Sequence, residues 1–378
     1  AWGRTATESW TFDRDRAGYA GQFIWTGFDY IGEPTPWHNQ DHTPVKSSYF
    51  GIIDTAGLPK NDFYLYRSEW YSAKEKPTVR IMPHWNWTEE TLKERNMLIN
   101  GKVPVRTFSN AASVELFLNN ESLGKKEFVK KTTEDGRPYH EGAKPSELYL
   151  EWLVDYKPGT LTAIARDENG KEIARDSVTT AGEPARVRLT KEEHVITADG
   201  KDLSYIHYEI VDEDGNVVPT ANNLVHFNLH GQGQIVGVDN GEQASRERYK
   251  AQKDGTWQRK AFNGKGVVIV KSTEKEGQFT LFADSAGLAS DQATVTTVSG
   301  KKENRHFVSF APVKATTDVS ENPKLPETVT AIYSDGSVEE KAVTWDIPDD
   351  LLASAGVKKV SGNVEGLEDK AEALVKVV

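Results

Sequence analysis

No cysteine occurs among the 378 residues, which excludes disulfides, thiolate metal sites and cysteine nucleophiles. Any catalysis falls to carboxylates, His, Ser, Lys or Tyr, and no motif calls for a cofactor. Long apolar runs are missing too: nothing approaches the ~18 consecutive residues that cross a bilayer, so no membrane insertion is expected. Positive charge is in deficit, with 46 Lys and Arg against 57 Asp and Glu and a net charge of -11. Phosphate backbones and anionic lipid surfaces are poor partners for such a chain, and nucleic-acid binding is not expected. Ala1 to Trp10 carry neither an apolar signal core nor a basic leader, as expected if a leader has been removed or the sequence starts inside a longer protein. What remains, 37% hydrophobic and 27% charged residues, is a globular composition. Its length suits two to four domains of roughly 100–200 residues each.

The composition breaks sharply along the chain. Seven of the ten Trp lie in the first 87 residues, and only Trp152, Trp257 and Trp345 follow. Asn-Gly and Asp-Gly pairs, the strongest short-range hairpin signal, are absent before residue 88; nine come after it, from Asn100-Gly101 to Asp335-Gly336. An aromatic segment of one architecture thus precedes about 290 residues of antiparallel β-structure.

Within the β part, Val114 to Leu118 alternates apolar and polar positions up to the turn Asn119-Asn120, the pattern of a sheet with one wet face. Leu161 to Ala165, the Asp167–Gly170 turn and Ile173 to Val178 predict a hairpin, and Gly182-Glu-Pro184 predicts a linker. Strands are expected at 205–211, 225–229, 267–270 and 279–282, with a turn over Asp212–Asn216. A polar stretch at 299–304 precedes a last small β-unit with strands at 329–333, 343–345 and 373–378. The strand spacing suggests sandwiches of immunoglobulin-like size. The expected units are 1–76, 77–182, 183–300 and 301–378.

The first segment predicts a helix over Thr5–Arg16, a buried strand over Gly21–Trp25, a long aromatic loop, and a second helix. Pro59 is placed at the first turn of that helix, Phe63, Tyr66, Trp70 and Tyr71 form its apolar stripe, and Pro77 lies at its end. One strand and two helices cannot bury their apolar faces alone, so the sequence is expected to begin inside a domain whose larger part lies upstream.

The run Gly21-Gln-Phe-Ile-Trp-Thr-Gly-Phe-Asp-Tyr-Ile-Gly-Glu-Pro34 resembles the end of the catalytic (β/α)8 barrel of family 2 glycoside hydrolases, the β-galactosidase group in particular. The blocks 48–54, 57–60 and 63–66 are similar to the return from barrel strand eight into its last helix. Trp85-Asn-Trp87, 114–119 and 152–159 are similar to the sandwich that follows the barrel in bacterial members, and Ala198–Leu203 and Gly237–Gly241 to the next accessory domain. Leu325-Pro326, Tyr333–Gly336 and Thr344–Asp346 resemble a bacterial immunoglobulin-like module. The fold this resemblance implies is mainly β: the C-terminal end of a (β/α)8 barrel followed by three immunoglobulin-like sandwiches. The function it implies is the C-terminal part of a secreted or cell-wall-attached, retaining exo-β-galactosidase of a Gram-positive bacterium. Its partners would be β-galactoside glycans and the N-terminal part of the same enzyme. In the family both catalytic Glu precede the point where this sequence starts, so none is expected here. The one Asn-Glu pair, Asn120-Glu121, falls in a hairpin turn.

Four residues are the candidates for substrate binding under that resemblance: Trp25, Asp29, Glu33 and Trp37. Trp25 ends the inferred strand eight, at the barrel end where active sites lie, and an indole offers a flat face to the C–H face of a pyranose. The family tends to have a non-proline cis peptide after this Trp, making Trp25–Thr26 a candidate. Asp29 and Glu33 are not expected to be the catalytic pair, because one loop would have to place both across a sugar; Asp29 is expected chiefly to order the turn. Glu33 either contacts substrate or fixes its loop. Trp37, His38 and Asn39 are expected on the long loop bordering the leaving group. No metal is expected: His226 and His230 lack a third ligand, and the Asp212 turn lacks the closing Glu of a calcium loop. Lys125-Lys126 is read as edge-strand protection. The alternative function is a non-catalytic glycan-binding, adhesion or spacer protein of tandem sandwiches, which would need exposed aromatic platforms.

Overall fold

The computed structural model describes residues 4–32, 47–299, 307–319, 321–333 and 337–378. Strands dominate; among the described residues the helices are α1 (Ala6–Arg14), α2 (Asn61–Trp70) and α3 (Glu89–Glu94). Thr5 and Glu8 open α1 with a reciprocal capping box, Glu8 N donating to the Thr5 hydroxyl at 3.2 Å and Thr5 N to Glu8 Oε2 at 2.9 Å. Two otherwise orphaned amides are thereby satisfied.

Three expectations for this segment need correction. Pro59 does not open α2, whose N-cap is Lys60. Its apolar stripe is only partly the expected one: Tyr66 is buried and joined by Leu65, while Trp70 and Tyr71 stand exposed. Trp70, the last helical residue, keeps the Tyr66 face with the two rings 4.9 Å apart but lies at its open end, and Tyr71 is already extended. The run Gly21–Trp25 forms no strand, and Phe23 is fully exposed. A strand exists only through its neighbours, and no described residue pairs with 21–25.

The first sandwich packs a sheet of Val79–Met82, Val103–Ser109 and Leu150–Val154 against one of Glu121–Glu127, Ser113–Leu118, Thr160–Arg166 and Glu172–Thr179. The alternation at 113–118 turns Val114, Leu116 and Leu118 inward, where they meet Val103, Val105, Trp152 and Leu161. Asn119 and Asn120, at φ +51° and +68°, make the two-residue turn that this hairpin needs. Glu121–Glu127 is a sheet edge exposed along its whole length, and Lys125 pairs with Glu127 at 2.8 Å.

The second sandwich places Arg186–Lys191, Leu203–Val211, Lys265–Ser272 and Gly233–Asp239 in one sheet. Val195–Thr197, Asp291–Val298, Gly277–Ser285, Leu224–Gly231 and Trp257–Lys260 form the other. Ile206, Tyr208, Ile210, Val225, Phe227 and Leu281 fill the space between them. Asp212 accepts from Gly182 N and Asn216 N, each at 2.8 Å, the bonding of a turn. His230 lies edge-on to Phe282 at 5.6 Å.

In the last unit, Val338–Asp346 pairs through its first half with Thr328–Tyr333 and through its second with Gly356–Val364. One long strand thereby serves both layers around Trp345, Val360, Ala373 and Val375. Both C-terminal units close with a parallel pairing of an early and a late strand: Val195–Thr197 with Thr296–Val298, and Val313–Thr317 with Ala373–Val377. No helix among the described residues is long and apolar enough to cross a membrane.

Candidate active-site turn

Although 21–25 lacks a strand partner, the residues after it are tightly held. Thr26 N donates to Phe50 O at 3.1 Å, Ile52 N to Thr26 O at 3.1 Å, Ile53 N to Gly27 O at 3.0 Å and Asp29 N to Ile53 O at 2.9 Å. Ser47 and Ser48, both fully buried, add side-chain bonds at 3.2 Å to Tyr30 O and from Tyr30 N. The two segments lie so close at Gly51 that a Cβ there would stand 2.0 Å from Asp29 N; only glycine permits this approach.

Trp25 sits at the mouth of this zipper, 67% exposed. Its indole N–H donates to the Tyr30 hydroxyl at 3.2 Å, and the two rings meet edge-on at 6.5 Å. The hydrogen bond fixes the indole while leaving area open to solvent. The Trp25–Thr26 peptide is cis. Phe28 and Ile31 are exposed beside it.

Asp29 is the opposite case, with a side chain completely shielded from solvent. Gly51 N donates to Oδ1 at 2.8 Å, Lys60 Nζ lies 2.8 Å from Oδ1 and 2.7 Å from Oδ2, and Gln243 Nε2 donates to Oδ2 at 2.5 Å. A buried carboxylate requires a cation and hydrogen-bond donors, and Asp29 has both. The neighbouring Asp54 takes Ala56 N and Leu58 N on one oxygen, both at 2.9 Å. Burial pushes its carboxyl above the ordinary range, and the nearby Asp239 adds to the rise against those amide bonds. Glu33 and Trp37, with His38 and Asn39, fall outside the described residues.

Lys60 and Gln243 were not singled out as site residues in the sequence. Lys60 lies in a block similar to the barrel's last turn, and its charge opposite Asp29 is the signal that was available. Gln243 lies 214 positions from its partner. Its one trace is the 17-residue polar stretch between the strands ending at Asp239 and beginning at Trp257, far longer than a hairpin loop.

Comparison with known proteins agrees with this architecture. Residues 187–294 match the glycoside hydrolase family 2 C-terminal domain 5, residues 100–174 a domain of unknown function (DUF4982), and residues 310–367 a bacterial Ig-like domain (group 4). The chain is 44% identical over 287 residues to the β-galactosidase BoGH2A of Bacteroides ovatus, covering 76% of this chain and 29% of that protein. It is 28% identical over 372 residues to a putative β-glucuronidase of Formosa agariphila, covering 97% of this chain and 32% of the relative. A crystal structure of a glycosyl hydrolase family 2 member from Bacteroides cellulosilyticus superposes with a TM-score of 0.59 at 28% identity, over 78% of this chain and 38% of that one. A mainly β chain carrying these domains has the architecture of the C-terminal region of family 2 glycoside hydrolases. It belongs to glycoside hydrolase family 2. The chain spans about a third of the length of the curated relatives it matches.

Proposed function

We propose that the chain is the C-terminal part of a retaining exo-β-galactosidase acting on terminal β-linked galactose. Residues upstream of this sequence would complete a (β/α)8 barrel around Trp25 and supply both catalytic Glu. The observation that carries this reading is the Trp25 turn: an exposed indole, fixed by Tyr30, on a backbone zipper anchored by buried Asp29. A fixed apolar face of this kind stacks on a pyranose while polar groups read its hydroxyls. In the complete enzyme one Glu attacks the anomeric carbon while the other protonates the departing oxygen and then activates water, the two carboxyls standing ~5–5.5 Å apart. Asp29, shielded and held by Gly51, Lys60 and Gln243, acts as scaffold to the turn rather than as a sugar contact. The Ig-like module suits an extracytoplasmic, cell-surface setting.

The name of the Bacteroides ovatus relative favours galactosides, and that of the Formosa relative makes glucuronides the competing substrate. The test compares this 378-residue chain with the complete protein on chromogenic β-galactoside and β-glucuronide. The expected result is turnover of the galactoside by the complete protein alone, with Trp25→Ala lowering kcat/KM about tenfold or more. Turnover by the 378-residue chain itself, or a preference for the glucuronide, refutes it. The adhesion reading is disfavoured by the sandwich tryptophans, none of which stands free as a platform: Trp152 is buried in the first core, and Trp257 and Trp345 pack against the second and third.

A further inference from the structure

We infer that Gln243 is a positioning residue for the Trp25 turn, making the second sandwich a working part of the active site. The inference rests on the reading of that turn as sugar-facing. The Gln243 amide donates to Asp29 Oδ2 at 2.5 Å across two units, with both residues buried. The same carboxylate holds Gly51 N, and Gly51 lies in the segment that zips to 26–31. A side chain of the second sandwich is therefore one hydrogen bond from Asp29, which lies on the turn itself, and two from the facing strand segment at Gly51.

The loop presenting Gln243 is stiff. Arg259, completely buried, bonds Asp239 Oδ1 at 3.0 Å and Asn240 Oδ1 at 2.7 Å through Nη2, and the Glu247 carbonyl at 3.0 Å through Nη1. Gly241 then seats the loop against the turn. At φ +75° it lies so close to Asp54 that a Cβ would stand 2.2 Å from Oδ2. The choice of a neutral amide also has a reason. Lys60 already neutralises Asp29, so a second cation would bury excess charge, whereas an amide supplies the remaining donor with none. Without that donor Asp29 Oδ2 keeps only Lys60 Nζ, and the carboxylate, held from one side alone, relaxes toward the cation and away from Gly51.

A contact that only glues two units together would contribute stability and nothing more, and two variants separate the cases. Gln243→Leu keeps the bulk and removes the donor. Gln243→Glu places a second carboxylate against Asp29, a pair that shares a proton in acid and repels when both ionise. The charged and titratable groups around that pair are Lys60, Tyr49 and Asp54 on the turn side, and Asp239 and Glu242 on the loop. In the complete enzyme, Gln243→Leu is expected to lower kcat/KM for an aryl β-galactoside ten- to a hundredfold. Gln243→Glu should shift the alkaline limb of the pH–rate profile toward acid. In the 378-residue chain, both should speed amide exchange at 26–31 while leaving 203–211 protected. Unchanged exchange at 26–31 overturns the inference, and so does faster exchange with wild-type kinetics and pH profile. A wild-type complete protein that turns over no aryl β-galactoside refutes the functional reading instead, while the exchange experiment still judges the coupling.

Discussion

Single residues here divide by how they meet their charge. Asp29 is buried with a cation and two amide donors, whereas the half-buried Glu69 has little besides the Trp10 indole N–H at 2.7 Å. Burial therefore raises its carboxyl to about 7, with the indole bond and Arg14 opposing the rise. The folded state then holds a proton that the unfolded chain, titrating near its ordinary value of 4.5, has released. The sign follows: the stability linked to Glu69 is fully present below about pH 4.5 and is lost as the pH climbs through 7. Glu69→Gln should leave the urea midpoint nearly unchanged at pH 4.5 and raise stability at pH 8 by roughly 1–3 kcal/mol. Equal pH dependence in variant and wild type would remove this account. His84 titrates the other way, its imidazole lowered to about 4 by burial and by Arg95.

Among the elements, the edge strand Glu121–Glu127 shows how a sheet margin is kept from pairing with another molecule. Its lysines are exposed, and Lys126 also lies over the Trp152 ring at 5.4 Å. Replacing Lys125 and Lys126 together by Val should leave the hairpin intact but promote edge-to-edge association, visible as concentration-dependent light scattering; a variant that stays monomeric would contradict it. This element was legible in the sequence, as were Ser113–Leu118, the Asp167 and Asp212 turns and the first helix, because each is written in neighbouring residues. The failures share a cause as well. Gly21–Trp25 has the apolar character of a buried strand but finds no ladder among the described residues, and Trp70 shares the Tyr66 face of α2 yet lies at its exposed end. The latch of Gln243 on Asp29 joins positions that no local pattern connects, so only the three-dimensional structure reveals it.

At the scale of the whole molecule, the three β-units have separate sheets and separate cores, so damage to one should stay there. Val375→Ala removes part of a fully buried side chain in the last unit and should cost that unit about 1–3 kcal/mol. Scanning calorimetry should show one transition lowered and the rest unmoved; a concerted shift of every transition would mean that the units melt as one. The parallel pairings that close the last two units have a mechanical meaning. In each, an early strand lies beside a late one and points the same way, three residue pairs in the second sandwich and five in the last unit. Tension applied to the two ends of a unit pulls these strands past one another along their length. Every bond of the clasp is then loaded together in shear, and none can be peeled away alone. Each of these two units is thus built to carry a pull between its own ends.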